Sequence, residues 1–164
     1  MPSRAAHDAL AHGTPLAALQ AYSTFLNDRQ DAGDVGFLQS LVVSGDRLAC
    51  ALAIRPLARH TGGEFDIALH AFARSDDLLL REQAVWALAD RPPTSAGIEA
   101  IVGAIVDGGH AATLAQLTVE KWAALDPDVM GMIVAAIDHD VADDARVRLV
   151  ESATVADTPS LPCS

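Results

Sequence analysis

The sequence predicts an all-α fold made of stacked helical hairpins, and three observations predict it. A helical segment returns at a nearly constant interval, because Phe37, Ala68, Ile101 and Ile133 stand 31, 33 and 32 residues apart. Glycines and prolines punctuate the chain regularly, and the segments between them lack the period-two alternation of a strand. A period of about 30–45 residues is typical of stacked helical hairpins rather than of a single globular enzyme fold.

Two further columns of small or apolar residues support the repeat. Both have the same intervals as the first column. One consists of Ser40, Ala71, Ala104 and Ala136, and the other of Leu41, Phe72, Ile105 and Ile137. With the first column they have the spacing i, i+3, i+4, which places them on one face of the first helix of each hairpin, here called helix A. The second helices, here called helix B, align less well, through Ala53, Ala84, Leu117 and Leu149.

The first four helices are predicted largely from their N-terminal caps. A short helix covers about 3–11, and a second begins at Thr14-Pro15, where threonine is a favourable N-cap and proline suits the first helical position. A third helix is predicted to begin at Asp34 and a fourth at Asp46, since aspartate also caps helix starts.

The later helices are predicted from apolar runs between breakers. The fifth covers about 64–74 and the sixth about 78–90, the seventh begins after Thr94-Ser95, and the eighth covers about 110–125. The ninth opens at Asp126-Pro127-Asp128, and the tenth covers about 142–156. We therefore expect one domain over 1–156, with a looser first hairpin at 3–30, the clearest repeats over 34–156, and a flexible tail at 157–164.

The chain is acidic. Its 164 residues carry a formal charge of −11, from 22 acidic and 11 basic residues. This balance argues against binding to nucleic acid or to an anionic membrane. The basic residues are arginines apart from Lys121, a bias that indicates GC-rich bacterial coding.

Cysteine usage and hydropathy indicate a cytoplasmic protein. Cys50 lies in an alanine-rich helix and Cys163 in the tail, so the two cysteines do not form a disulfide framework. The first 13 residues lack the apolar core of a signal peptide. No apolar run approaches the roughly 20 residues that a membrane-spanning helix needs.

The predicted B helices resemble HEAT repeats of the short bacterial type, as in PBS-lyase-type proteins. The residues that carry the resemblance are Asp76-Asp77 in a turn, followed by Arg81, Ala84 and Leu88. In that family, a turn aspartate and a basic residue early in helix B form a ladder between neighbouring repeats. The resemblance implies a right-handed α-α superhelix, a HEAT-like or ARM-type solenoid of about four to five hairpins, with its B helices on the concave side. It implies no particular activity.

Further rungs of the ladder are expected by the same resemblance. Asp46 with Arg47 and Asp140 with Arg146 look like such rungs. Asp107 departs from the pattern, since no basic residue follows it until Lys121. One rung is therefore expected to be missing at Asp107.

Patterns of catalytic chemistry are absent from the sequence. The diiron HEAT hydroxylases carry His-Glu dipeptides as metal ligands, and this chain has none. Asp138-His139-Asp140 is the densest polar cluster, and we interpret it as a capping turn rather than a divalent-cation site. There is no nucleophile elbow, P-loop or dinucleotide-binding glycine pattern. The sequence therefore predicts no catalytic residue, no metal site and no cofactor.

Positive charge gathers on the predicted B helices, taken as 47–60, 78–91, 110–125 and 141–156. They hold eight of the 11 basic residues and six of the 22 acidic ones. The predicted binding residues on the concave face are Arg47, Arg55, Arg59, Arg81, Trp86, Lys121, Trp122, Arg146 and Arg148. An acidic partner would be attracted there and repelled elsewhere. The alternative is that these arginines are ladder residues of the fold, paired with turn aspartates.

The sequence therefore predicts a non-catalytic scaffold or regulatory module that binds a protein partner with an acidic surface, and neither nucleic acid nor a membrane. The alternative is an enzyme or lyase-type chaperone that holds a small anionic ligand in the groove near Trp86 and Trp122. A solenoid needs polar end caps, and the last predicted helix carries uncovered Leu149 and Val150. Self-association into a homodimer through one end is therefore also expected.

Overall fold

The helices follow the predicted order along the chain. The computed structural model describes residue 2 and residues 4–136. Within these residues the chain forms nine α-helices and a short 3₁₀ turn over Gly63–Phe65, without a strand. The helices are α1 (Arg4–His12), α2 (Pro15–Asn27), α3 (Ala32–Val43), α4 (Arg47–His60), α5 (Asp66–Ala73), α6 (Leu78–Leu88), α7 (Ser95–Asp107), α8 (Gly109–Leu125) and α9 (Val129–Ala136). The predicted all-α class is confirmed.

Side-chain caps determine where four helices begin. Thr14 caps α2, Asp46 caps α4, Asp77 caps α6 and Thr94 caps α7. In each case the side-chain oxygen accepts a hydrogen bond from a backbone N–H of the first turn, which would otherwise lack a partner. The caps predicted at Thr14 and Asp46 are confirmed.

Two predicted helix starts are displaced in the structure. Helix α3 begins at Ala32 rather than Asp34, because Asp31 is the N-cap and Asp34 completes a reciprocal capping box. Asp31 Oδ1 accepts from the Asp34 N–H at 2.9 Å, and Asp34 Oδ2 accepts from the Asp31 N–H at 3.0 Å. Pro127 lies in the turn before α9 rather than in the first turn of that helix.

The helices pack as antiparallel hairpins that lie side by side in chain order. The hairpins pair α1 with α2, α3 with α4, α5 with α6, and α7 with α8. Their second helices form one layer, in which α2 contacts α4, α4 contacts α6 and α6 contacts α8. Among the first helices, α5 contacts α7 and α7 contacts α9. Consecutive second helices run in the same direction, since a first helix returns the chain between them.

The buried column of the A helices is out of register with the predicted one in two of four repeats. Leu38, Leu69, Ile101 and Ile133 are buried, whereas the predicted Phe37 and Ala68 are half-buried. The true column begins one residue later in α3 and α5. One reason is that the Phe37 ring turns aside to stack on His7 at a centroid distance of 4.2 Å.

The predicted column of the B helices fails at α8. Ala53 and Ala84 are fully buried, but Leu117 is 54% exposed. Thr118 takes the inner position, where its hydroxyl donates to the carbonyl oxygen of Leu114 at 3.0 Å. Helix α8 starts after Gly108, whose φ of +79° suits a residue without a side chain. The buried position in α8 is thus one residue later than predicted.

Several predictions lie outside the described residues. They concern the tenth helix at 142–156, the tail at 157–164, the cluster Asp138-His139-Asp140, and the binding residues Arg146 and Arg148. Among residues 4–136, no helix is both long enough and apolar enough to cross a lipid bilayer.

Candidate binding surface

Ion pairs join neighbouring hairpins near the N-terminal ends of α4 and α6. Arg47 Nη2 donates to Asp77 Oδ1 at 2.9 Å, and Arg81 Nη1 lies 3.1 Å from Asp107 Oδ2. The hydrogen bond from Arg47 holds the pKa of Asp77 below its ordinary value, and the backbone N–H groups of α6 that Asp77 caps lower it as well. The rung expected to be missing at Asp107 is therefore present, because Arg81 of the preceding hairpin supplies the cation.

A second set of ion pairs joins α4, α6 and α8 nearer their C-terminal ends. Arg55 Nε donates to Asp90 Oδ2 at 3.1 Å, and Lys121 Nζ donates to Asp90 Oδ1 at 3.0 Å. Burial by itself would raise the pKa of Asp90, but the bonds from Lys121 and Arg55 outweigh it and hold that pKa below its ordinary value. One carboxylate thus links two cations from the helices on either side.

Trp86 of α6 lies against this charged row. The Arg55 guanidinium carbon is 3.9 Å from the centroid of the Trp86 ring, a cation–π geometry. The tryptophan is 39% exposed. Trp86 is therefore partly accessible and lies beside Arg55, another residue predicted to bind.

Trp122 does not lie on a surface, contrary to the prediction. Its side chain is fully buried, and its indole Nε1 donates to the carbonyl oxygen of Arg91 at 2.8 Å. The large buried ring lies between α8 and the start of α7, next to Gly97. Trp122 is therefore a core residue, and its polar atom is satisfied within the fold.

Arg91 connects four helices and was not among the predicted binding residues. Its Nη1 donates to the carbonyl oxygen of Thr61 at 2.7 Å, just after α4, and its Nε donates to Asp66 Oδ1 at 3.0 Å at the start of α5. Its own carbonyl accepts from Trp122 of α8. Because these acceptors engage most N–H donors of the Arg91 guanidinium, Arg91 is a structural clamp rather than a free cation.

Arg59 differs from the other predicted arginines within the described part of the chain. It lies in the last turn of α4, is exposed, and makes no ion pair with residues 4–136. By contrast, Arg47, Arg55, Arg81 and Lys121 all pair with aspartates of a neighbouring hairpin. These four residues are therefore already engaged within the fold.

The solvent-facing side of α4, α6 and α8 also carries apolar side chains, and we call this side the B surface. We define it by Leu48, Arg55, Arg59, Trp86, Leu117 and Lys121. Leu48 and Leu117 are 51% and 54% exposed. Leu48 lies seven residues before Arg55, and Leu117 lies four residues before Lys121, so helical periodicity places each on the same stripe as the charged row.

Asp90, the centre of the charged row, was not recognised in the sequence, although a signal was present. It stands 31 residues after Arg59 and 31 residues before Lys121. Asp77 likewise stands 31 residues after Asp46, so aspartates follow the same period as the buried columns. A search for charged residues at the repeat interval would have found both.

A histidine–aspartate pair connects α1 to α3 and was also missed. His7 Nε2 lies 2.8 Å from Asp34 Oδ1, and the Asp34 side chain is only 5% exposed. Besides Phe37, the His7 ring contacts Phe25 at a centroid distance of 5.2 Å. The pair thus joins α1 to α3. Among residues 4–136 no three His, Cys, Asp or Glu side chains converge as a metal site would require.

Comparison with protein-family models, with curated proteins and with solved structures finds no match to this chain. The assignment of the B surface as the candidate site therefore depends on its geometry and exposure.

Proposed function

We propose that the chain is a HEAT-like, right-handed α-solenoid that binds a protein partner on the B surface without catalysis. Two features support the solenoid. The second helices lie side by side in chain order, and ion pairs such as Arg47–Asp77 and Arg81–Asp107 connect each hairpin to the next. Such connections between nearest neighbours are expected where every repeat contacts only the adjacent ones.

The observation that carries the proposed binding function is the composition of the B surface. An exposed tryptophan and two exposed leucines lie beside a row of charged groups. Protein interfaces typically combine an apolar centre with a polar rim, and tryptophan and arginine are enriched among the residues that dominate binding energy. Trp86 is the proposed anchor, because Arg55 already holds one side of its ring.

The partner that we propose has an acidic surface around an apolar centre. Two of the three cations of the B surface, Arg55 and Lys121, share Asp90. The B surface therefore carries a small positive charge rather than a strong positive potential. The chain as a whole has a charge of −11, so most of the molecule repels an acidic partner, and the positive surplus makes this side the favoured one. Charge thus selects the face of the solenoid, and the apolar residues supply affinity.

The alternative function, an enzyme or lyase-type chaperone with a ligand between two tryptophans, has less support. Trp122 is buried, so Trp86 alone remains at the surface. The proposed homodimer through one end of the solenoid depends on the predicted last helix, which lies outside the described residues. A light-scattering mass that stays monomeric at all concentrations would contradict it.

The binding function can be tested with two double variants of matched chemistry. Leu48→Glu/Leu117→Glu places two charges on the B surface, and Val43→Glu/Ile67→Glu places two charges on α3 and α5, where the native side chains are 82% and 85% exposed. Wild type and both variants are used for affinity capture from the native host, and each retained protein is then purified and titrated. We expect a partner that binds wild type and the α3/α5 variant alike and loses at least about tenfold in affinity for the B-surface variant.

Equal retention by all three proteins would contradict the B surface as the binding site. A partner lost only by the α3/α5 variant would place the interface on the opposite layer. Variants of Arg55 or Arg81 are less suitable, because these residues pair with Asp90 and Asp107 and their loss also changes the stability of the fold.

A further inference from the structure

A recess opens beside the B surface at the C-terminal ends of α4, α6 and α8. Its volume is about 400 Å³, within the range of small-molecule pockets. The lining combines apolar walls with charge and consists of Arg59, Ala89, Asp90, Arg91, Pro92, Pro93, Lys121 and Leu125. Such a mixture suits a ligand that has an apolar body and a polar head.

The recess has more positive than negative charge. Among the described residues, three cations line it and Asp90 is the one carboxylate of the lining. From outside, Arg55 pairs with Asp90 and Asp66 pairs with Arg91, so four cations face two carboxylates. The C-terminal ends of the three helices oppose this surplus, since each carries about half an elementary negative charge, or about one and a half together. On a chain whose net charge is −11, this local surplus is an unusual feature.

Arg59 is the residue that is available to a ligand. Arg91 is engaged by Asp66 and by the carbonyl oxygen of Thr61, and Lys121 donates to Asp90. Arg59 makes no hydrogen bond or ion pair with residues 4–136, so its forked set of N–H donors is open to solvent at the edge of the recess. A guanidinium binds planar carboxylates and phosphates through two parallel hydrogen bonds.

We propose that this recess is an anion-binding site in which Arg59 binds a carboxylate or phosphate group, with Lys121 and Arg91 contributing positive charge. The shared chemistry is the oxyanion, which either a small molecule or an acidic side chain of a bound protein can supply. Pro92, Pro93 and Leu125 form apolar walls that would contact the rest of the ligand. The site does not require the partner interface around Trp86.

The test is a titration of the full chain followed by heteronuclear NMR, at an ionic strength held constant with chloride. The probes are inorganic phosphate, succinate and a hexaglutamate peptide. The variants are Arg59→Gln, Arg59→Lys, and Arg29→Gln as a control that removes the same charge from an exposed loop position. We expect saturable shifts at residues 89–93 and 121–125, weakened about tenfold or more by Arg59→Gln, less by Arg59→Lys, and unchanged by Arg29→Gln.

Saturation by phosphate or succinate identifies a small-anion site, and saturation by hexaglutamate alone identifies a site for an acidic protein segment. Either result supports the proposal if it depends on Arg59. Absence of saturable shifts with all three probes would overturn it, as would equal losses in the Arg59→Gln and Arg29→Gln variants. Thermal unfolding of the variants checks that a loss of binding is not a loss of fold.

Discussion

The indole Nε1 of Trp122 donates a 2.8 Å hydrogen bond to the carbonyl oxygen of Arg91, and this bond joins α8 to the end of α6. The same arginine clamps the end of α4 and the start of α5. A residue that looked like a surface aromatic in the sequence therefore stabilises the junction of four helices. The B surface is organised around this junction, because Asp90 and Lys121 are the immediate neighbours of the two residues.

Replacing Trp122 is expected to destabilise the fold. Trp122→Phe removes the only donor of the buried ring and leaves the Arg91 carbonyl without that partner, which costs about 1–3 kcal/mol of unfolding free energy. Trp86→Phe is the control, since Trp86 is partly exposed and its substitution is expected to cost less than about 1 kcal/mol. Urea unfolding measures both, and equal losses would contradict the assigned roles.

Asp90 is expected to make stability depend on pH in the acid range. Its pKa lies below the ordinary value in the folded protein, so its contribution is present above about pH 4, the ordinary range for aspartate, and is lost as the pH falls through the folded pKa. Asp90→Asn should therefore be less stable than wild type at pH 7, with a difference that shrinks as the solution is acidified. A difference that stays constant from pH 7 to pH 3 would exclude this ionic contribution.

Loss of His7 is expected to weaken the docking of α1. His7→Ala leaves the buried Asp34 carboxylate without its partner from α1, at a cost of about 1–3 kcal/mol. His110→Ala is the matched control, because His110 is exposed where it meets Glu82, and such pairs contribute about 0–1 kcal/mol. Chemical unfolding compares the two variants. Hydrogen exchange should also accelerate in α1 of the His7 variant, and unchanged exchange there would contradict the assignment.

Two glycine substitutions are expected to change the stability of the protein in opposite directions. Gly36 lies within α3 with no atom within 4 Å of an added Cβ, so Gly36→Ala should stabilise the protein by about 0.5–1 kcal/mol. Gly45 has a φ of +80°, which an alanine adopts only with strain, so Gly45→Ala should destabilise it by about 1 kcal/mol. Thermal midpoints report both, and a fall for Gly36→Ala would mean that α3 is not a regular helix there.

The order and type of the helices could be predicted because they depend on local chemistry. Caps such as Thr14 and Asp46 act within one turn, and the spacing of Ile101 and Ile133 requires only helical periodicity. Local patterns were less reliable where two candidate caps lay near each other at one helix start. At Asp31 and Asp34 both residues form one capping box, and the sequence alone does not reveal which is the cap.

The roles of the charged and aromatic side chains were decided by tertiary packing. Trp86 and Trp122 have similar helical surroundings in the sequence, yet one lies on Arg55 at the surface and the other is buried against Gly97 and Arg91. The arginines of the B helices are alike in type, and only the positions of Asp77, Asp90 and Asp107 on neighbouring hairpins distinguish the paired ones from Arg59.

Local periodicity was thus enough to predict the all-α hairpin architecture, because apolar residues recur three and four positions apart on the buried face of each helix. The pairing of Asp90 with Arg55 and Lys121 and the burial of Trp122 came from the three-dimensional arrangement, as did the lack of a partner for the Arg59 guanidinium among residues 4–136. The contacts of Asp90 and Trp122 join residues 31 to 35 positions apart, and they depend on the register between neighbouring helices. A shift of one residue, as at Thr118, is enough to exchange a buried position for an exposed one.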